Sequence, residues 1–292
     1  MTNDKTTFLR AALDAVSKAN VPINQMATMY GFSLTGEPSI GAPVSHVVLS
    51  PDEKDAFVRY LRSLGYRCHL KDFVPSTDGL NHYNIYSQAR TLLGKMASNF
   101  YSQPEGKYFD TVDGRFLTLE GYYHYLRILD YAMYTYCRDI EPAPLLTTDN
   151  MATAVMREMV ARFPDIRKLA KYEGADCIRI GRSLKAAIYG GTDYRPGAFS
   201  AFSAHRFMTA MVFKLHTLTI DGVSLGNILS AQVHAGVPLL HYYVMNGRQI
   251  NPPHSDWLPG VVAQIVQHID PYGETFDPHA VIQQIGNDDG SV

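Results

Sequence analysis

The chain has 292 residues, 46% apolar and 18% charged, with a formal charge of −2. No apolar run reaches about 18 residues, so a membrane span is excluded, and the apolar content excludes a wholly disordered chain. Cys68, Cys137 and Cys177 stand far apart without a CxxC, and the N-terminus lacks a signal-peptide h-region, so a soluble protein of the reducing cytoplasm is expected.

Residues 1–75 read as an accessory unit. Phe8, Leu9, Ala12, Leu13 and Val16 recur at helical spacing. A strand over 46–49 then leads to Ser50-Pro51-Asp52-Glu53, a helix start with a cap, a first-turn proline and a closing Glu. That helix carries Phe57, Tyr60, Leu61 and Leu64 to Gly65, and a strand over 66–70 completes a strand–helix–strand unit. Pro75-Ser76-Thr77-Asp78-Gly79 reads as a linker.

A main domain is expected over 80–270. It starts with a strand at 83–86 and a hairpin over 106–118 around Asp113-Gly114. Helices are predicted over 120–138, 150–163, 166–172, 176–187, 201–217 and 225–233. A strand over 238–245, a helix over 259–268 and a polar tail from residue 276, expected to be mobile, complete the chain. The class is α+β, predominantly helical.

Charge is uneven. Residues 157–220 hold eleven Lys/Arg against five Asp/Glu, a surplus of six, which leaves minus eight on the remainder. One basic third in a near-neutral chain suits an anionic ligand such as a phosphate or nucleotide better than general DNA coating.

Eleven histidines are present without HExxH, a closely spaced Cys/His set or a DxDxDG loop, so no metal site is expected. Gly222-Val223-Ser224-Leu225-Gly226 matches GxSxG, with Asp256 and His268 following. However, Lys214, His216 and Thr217 make the strand before it polar, and no oxyanion loop lies upstream. A serine hydrolase using Ser224 is therefore the weakest reading. Phosphate-binding glycine loops are absent.

The informative stretch is NIYSQARTLLGKMASNFYSQPEGKYFDTVDGRFLTLEGYYHYLR, residues 84–127. Its ordered pieces are Asn84-Ile85-Tyr86-Ser87, Ser98-Asn99-Phe100, Asp113-Gly114 and Thr118-Leu119-Glu120-Gly121-Tyr122. They resemble the NADAR family of YbiA-like N-glycosidases. Fainter matches follow at Ile180-Gly181-Arg182, residues 208–214 and Asp256-Trp257, so the resemblance spans about residues 83–268. It implies a YbiA-like fold and an N-glycosidase that needs no cofactor. The substrate would be phosphorylated ribosyl or ADP-ribosyl, either ADP-ribosylated guanine in nucleic acid or a ribosylamino intermediate of riboflavin synthesis.

Three departures stand out. The family's His after the Glu is Gly121 here, its Gln is His124, and its Lys is Arg127, a guanidinium that does not readily form a Schiff base. Lys214 is the other candidate amine. The resemblance thus implies Glu120, Lys214 and Asp256 as catalytic, with Tyr86, Ser98, Asn99, Phe100, Tyr123, Arg127, Arg182 and Trp257 binding substrate.

Elementary chemistry agrees with the central residue. Breaking an N-glycosidic bond passes through an oxocarbenium-like state, which a carboxylate beside the sugar stabilises. Glu120 falls in the first turn of a helix behind a capping Thr118, before residues apolar enough to bury it. Ser98 and Asn99 offer hydrogen bonds, Phe100, Tyr123 and Trp257 offer ring faces, and Arg182 offers charge for a phosphate. The departures also motivate a different class of reading, a non-catalytic module that binds ADP-ribose or a related nucleotide.

Overall fold

A computed structural model describes residues 32–34, 68–70, 73–139, 148–245, 248–252 and 257–288. Its elements begin with β1 (Phe32–Leu34), β2 (Cys68–Leu70), β3 (Tyr83–Asn84), α1 (Leu92–Ala97), β4 (Phe109–Thr111) and β5 (Gly114–Phe116). Helices α2 (Leu119–Asp139), α3 (Thr148–Arg162), α4 (Gly174–Tyr189) and α5 (Ala201–Thr217) follow. Next come β6 (Thr219–Ile220), β7 (Val223–Ser224), α6 (Leu225–His234), β8 (Leu239–Leu240), β9 (Tyr243–Met245) and β10 (Arg248–Ile250). The last two elements are α7 (Trp257–Val266) and α8 (Pro278–Asp288). The protein is α+β and mostly helical, and among the described residues the strands form five pairs. Among the described residues no helix is long and apolar enough to cross a membrane.

The chain forms two compact units that do not follow chain order. One holds Met96–Leu218 with Asp277–Gln283; the other takes Met1–Lys95, Thr219–Phe276 and Gln284–Val292. Residues 80–270, expected as one domain, therefore contribute to both.

In the Met96–Leu218 unit, the antiparallel hairpin β4–β5 pairs Thr111 with Gly114, and Gly114 turns at φ 121°, a value glycine adopts without a Cβ clash. Helix α2 follows and packs against α3, α4 and α5. Leu119, Tyr122, Leu126 and Leu129 recur at helical spacing on it and are wholly buried, each worth about 1.5–3 kcal/mol of apolar transfer. A second stripe of α2 is buried yet polar: Glu120, His124, Arg127 and Asp130. Asp130 is satisfied inside the unit, since its carboxylate accepts hydrogen bonds from the Ser200 backbone N–H and the Ser200 and Ser203 hydroxyls. The Ser200 hydroxyl in turn accepts from the Ser203 N–H and caps α5.

Arg206 of α5 is a second buried anchor. It donates to Asp113 Oδ1 at 2.7 Å and to Asp149, and its guanidinium lies 4.3 Å from the Phe202 ring centroid. The Tyr122 hydroxyl also donates to Asp113, so the hairpin turn is tied to two helices.

In the other unit, β3 pairs with β8 in parallel, Tyr83 opposite Leu239, and β1 pairs with β2 antiparallel. The β6–β7 hairpin turns through Asp221 and Gly222, both at positive φ.

Several expectations are corrected. The 75–79 segment is no linker: it opens with a 3-10 turn, and Asp78 is buried, accepting the backbone N–H groups of Asn84 and Arg90. The segment predicted as a helix over 166–172 is a 3-10 turn, Pro164–Ala170. The strand over 238–245 is split into β8 and β9. The tail expected to be mobile forms α8, which buries Val281 and Ile285. Strand β2 realises the predicted 66–70 strand in part, but its partner is β1. The predicted strand at 46–49 and both predicted N-terminal helices lie outside the described residues.

Candidate functional site

The site is built where α2 begins. Thr118 is wholly buried, and its hydroxyl accepts the Gly121 N–H at 3.2 Å, which places Glu120 in the first turn with its carboxylate near the positive end of the helix. The Glu120 N–H donates to the Asn99 carbonyl at 2.8 Å, and Asn99 Nδ2 donates back to Glu120 Oε2 at 2.6 Å. Two reciprocal bonds thus fix the 98–100 turn against the helix start. One turn along, His124 Nε2 lies 3.2 Å from Glu120 Oε1 but out of line for a hydrogen bond. His124 is 4% exposed, and neither ring nitrogen has a hydrogen-bond partner among the described residues. A buried polar group left unpaired costs about 1–3 kcal/mol.

Glycines on two sides make this arrangement fit. A Cβ on Gly181 of α4 would lie 2.3 Å from His124 Cγ, so the imidazole rests on bare helix backbone. A Cβ on Gly121 would lie 2.0 Å from the Leu169 carbonyl oxygen. A side chain is therefore excluded at 121.

Lys214 of α5 has no exposed surface. Its ammonium donates to the Ser98 carbonyl and lies 5.8 Å and 5.5 Å from the ring centroids of Tyr101 and Phe109. Burial lowers its pKa from 10.5 to about 7. Lys214, expected as a catalytic amine, is thus hydrogen-bonded to the Ser98-Asn99 turn that also holds Glu120. Phe100 is half-buried, and its N–H donates to the Ser98 hydroxyl at 3.3 Å.

Beyond Glu120 the charge turns basic. Arg127 is buried, donates to the Gly197 carbonyl at 2.7 Å and lies 5.3 Å from the Phe199 ring centroid. Lys185 of α4 is half-buried; burial lowers its pKa, Arg127 and Arg182 lower it further, and Glu120 opposes them. Arg182 is exposed on the same helix. Tyr123 sits between the two ends, its hydroxyl pKa raised by burial and by Glu120 and lowered by Arg127. Its ring centroid lies 5.1 Å from that of Phe199.

No protein-family model, curated protein or solved structure matches the chain.

The structure thus brings Ser98, Asn99, Phe100, Glu120, Tyr123, Arg127, Arg182 and Lys214 into one unit. Tyr86 and Trp257 belong to the other unit, where Tyr86 packs 5.0 Å from Tyr243 and 5.8 Å from His241 by ring centroids. Asp256 lies outside the described residues. Ser224 is corrected: it is a buried helix cap at the end of β7 whose hydroxyl accepts the Asn227 N–H and donates to Asn227 Oδ1, and of the 215–220 segment expected as a strand only Thr219–Ile220 is one, the rest closing α5. A nucleophile elbow needs an exposed hydroxyl after a strand.

Sequence reading missed two participants. His124 counted only as a departure, although its i,i+4 spacing from Glu120 was a legible signal. Lys185, three residues after Arg182, was lost among the other basic residues of its segment. Two cavities of about 370 Å³ and 340 Å³ lie not at Glu120 but along the C-terminal half of α2, sharing Tyr131, Thr135 and Thr192.

Proposed function

We propose that this chain hydrolyses the N-glycosidic bond of a phosphorylated ribosyl or ADP-ribosyl substrate, with ADP-ribosylated guanine in nucleic acid as the leading case, through a NADAR-like, YbiA-like domain. The observation that carries the reading is the buried Glu120 carboxylate, oriented by Asn99 at 2.6 Å beside an imidazole with no hydrogen-bond partner. In the reaction the bond from C1′ to the base nitrogen breaks, and its electron pair leaves with the base. Glu120 stabilises the positive charge that develops at C1′. A water adds to that carbon, and its proton passes through His124 to the departing base nitrogen, which leaves neutral. Arg127, Lys185 and Arg182 supply the charge that holds the phosphates. Lys214 acts as a positioning residue, and no cofactor enters.

The test is release of ADP-ribose from ADP-ribosyl-guanosine DNA by the wild type and by Glu120→Gln. The variant is expected to lose at least about 100-fold in rate with retained folding. Equal release by both proteins overturns the role of Glu120. Ribosylamino phosphates of the riboflavin class, offered in the same assay, decide which phosphoribosyl substrate is preferred. A second reading, an ADP-ribose-binding module without turnover, is favoured by one observation: Lys214, the candidate amine, is wholly buried. Calorimetric binding of ADP-ribose with no cleavage of any glycoside would select it.

A further inference from the structure

Helix α2 carries more than the Glu120 end of this site. At 100° per residue, Glu120, Arg127, Tyr131 and Tyr134 fall in one sector about 60° wide, and Tyr131 lies about 16 Å along the axis from Glu120. The stripe opens along its length: Glu120 and Arg127 are buried, Tyr131 is half-buried and Tyr134 is 44% exposed. Around its open end is the cavity of about 370 Å³, walled by Tyr131, Tyr134, Thr135, Thr192, Asp193 and Tyr194. That volume lies at the small end of the range for ligand pockets.

The walls are built for a flat aromatic group. Tyr194 meets Tyr131 and Tyr134 at centroid distances of 5.2 Å each, and Tyr189 meets Tyr131 and Tyr194 at 5.0 Å and 5.1 Å. These rings are braced from beneath, because the Tyr189 hydroxyl donates to the Arg127 carbonyl at 2.7 Å. The tyrosine cluster therefore begins where the basic group of Arg127 and Lys185 ends.

The geometry points to this tyrosine-walled cavity as the subsite for the adenine base of an ADP-ribosyl group, with the diphosphate spanning Arg127 and Lys185 and the distal ribose reaching Glu120. The inference rests on the proposed ADP-ribosyl reading and names its second binding point. The order of groups along α2 decides which base is held. A guanine aglycone is bonded to the anomeric carbon and must sit next to Glu120, whereas the adenine lies at the far end of the diphosphate.

The test is calorimetric titration of wild type, Tyr134→Ala and Tyr134→Phe with ADP-ribose, AMP and ribose 5-phosphate. Tyr134 is exposed enough that its truncation leaves the fold intact, and the Phe variant keeps a ring. Tyr134→Ala is expected to weaken ADP-ribose and AMP alike by roughly 10- to 100-fold, with ribose 5-phosphate changed less than about twofold. Tyr134→Phe should bind all three like wild type. Failure of AMP to bind wild type at millimolar concentration, or an equal effect of Tyr134→Ala on all three ligands, would overturn the subsite. The glycosidase reading fails separately. If Glu120→Gln and wild type release product equally while AMP binding still depends on Tyr134, the base subsite stands and the catalytic role does not. If cleavage depends on Glu120 and is indifferent to Tyr134→Ala in both KM and kcat, the subsite falls and the enzyme remains.

Discussion

Replacing Lys214 with Met should remove a rise of stability with pH above neutrality. Burial lowers the Lys214 pKa to about 7, against 10.5 for a solvated lysine. Between those values the unfolded chain holds a proton that the folded chain has released, so stability rises as pH increases through the window. Below it both states are protonated and the folded state bears the whole burial penalty; above it both are neutral. A full one-proton difference is worth about 1.4 kcal/mol per pH unit, or about 5 kcal/mol over the window. Other groups limit where the effect can be read. Burial pushes the Cys177 thiol from 9.0 up to about 12 and several tyrosines above their ordinary 10.0, so their contributions fall as pH rises past those values. His82, lowered by burial to about 4, completes its own rise below about pH 7. Lys185 shifts in the same direction as Lys214, so the difference between wild type and Lys214→Met is the informative quantity. Urea unfolding at pH 7.5, 8.0 and 8.5, read by hydrogen exchange of α5 peptides, confines the measurement to the unit that holds Lys214. Wild type should gain about 1 kcal/mol more than the variant over that unit of pH. Parallel pH dependences in the two proteins would refute a buried, proton-releasing lysine.

Further tests address packing and anchoring. Gly121→Ala should lower stability by about 3 kcal/mol or more, since the new Cβ meets the fixed Leu169 carbonyl; an unchanged urea midpoint would contradict that contact. Gly181→Ala should cost about 1–3 kcal/mol in wild type and less in a His124→Ala background, because the His124 ring is what it strikes; a double-mutant cycle with no coupling would refute the contact. Asp113→Ala should cost about 3 kcal/mol by stranding buried Arg206, whereas Asp149→Ala, at 78% side-chain exposure, should cost under about 1 kcal/mol; thermal melts that rank the two the other way would reject the assignment.

Much of the helical scaffold was legible because amphipathic spacing and caps are local. Helix α5 has the predicted bounds 201–217, and α2 begins within a residue of its predicted start because Thr118 and Glu120 are ordinary helix-start signals. The Asp113-Gly114 hairpin was equally readable from turn chemistry. Burial of polar groups was not. Pro75 to Gly79 has linker composition, yet Asp78 is sequestered by two backbone N–H groups, one of them twelve residues away. Helix α1 is six residues long, too short for a periodic signal. In α8 the polar ending masked Val281 and Ile285, whose i,i+4 spacing is the pattern of a docking face. The residues of the candidate site followed the same division. Glu120 and Asn99 stood beside local turn and helix-start signals, while the placement of His124, Lys185 and Gly181 depends on which helix faces which.

The polar stripe of α2 argues for function on energetic grounds. A helix at the centre of its unit is expected to be apolar all round, and replacing a buried ionic group by a packed apolar one is often neutral or stabilising. Asp130 shows what a structural acid in such a place requires: three donors satisfy its carboxylate. Glu120 has one side-chain donor, Asn99, and a histidine that approaches without hydrogen-bonding it, and that histidine is itself unsatisfied. Only one of these two buried acids of α2 is completed by the fold. Incompletely satisfied polar groups held in place by glycines on two neighbouring faces cost stability without adding to the packing, which is the pattern of a site kept for a ligand.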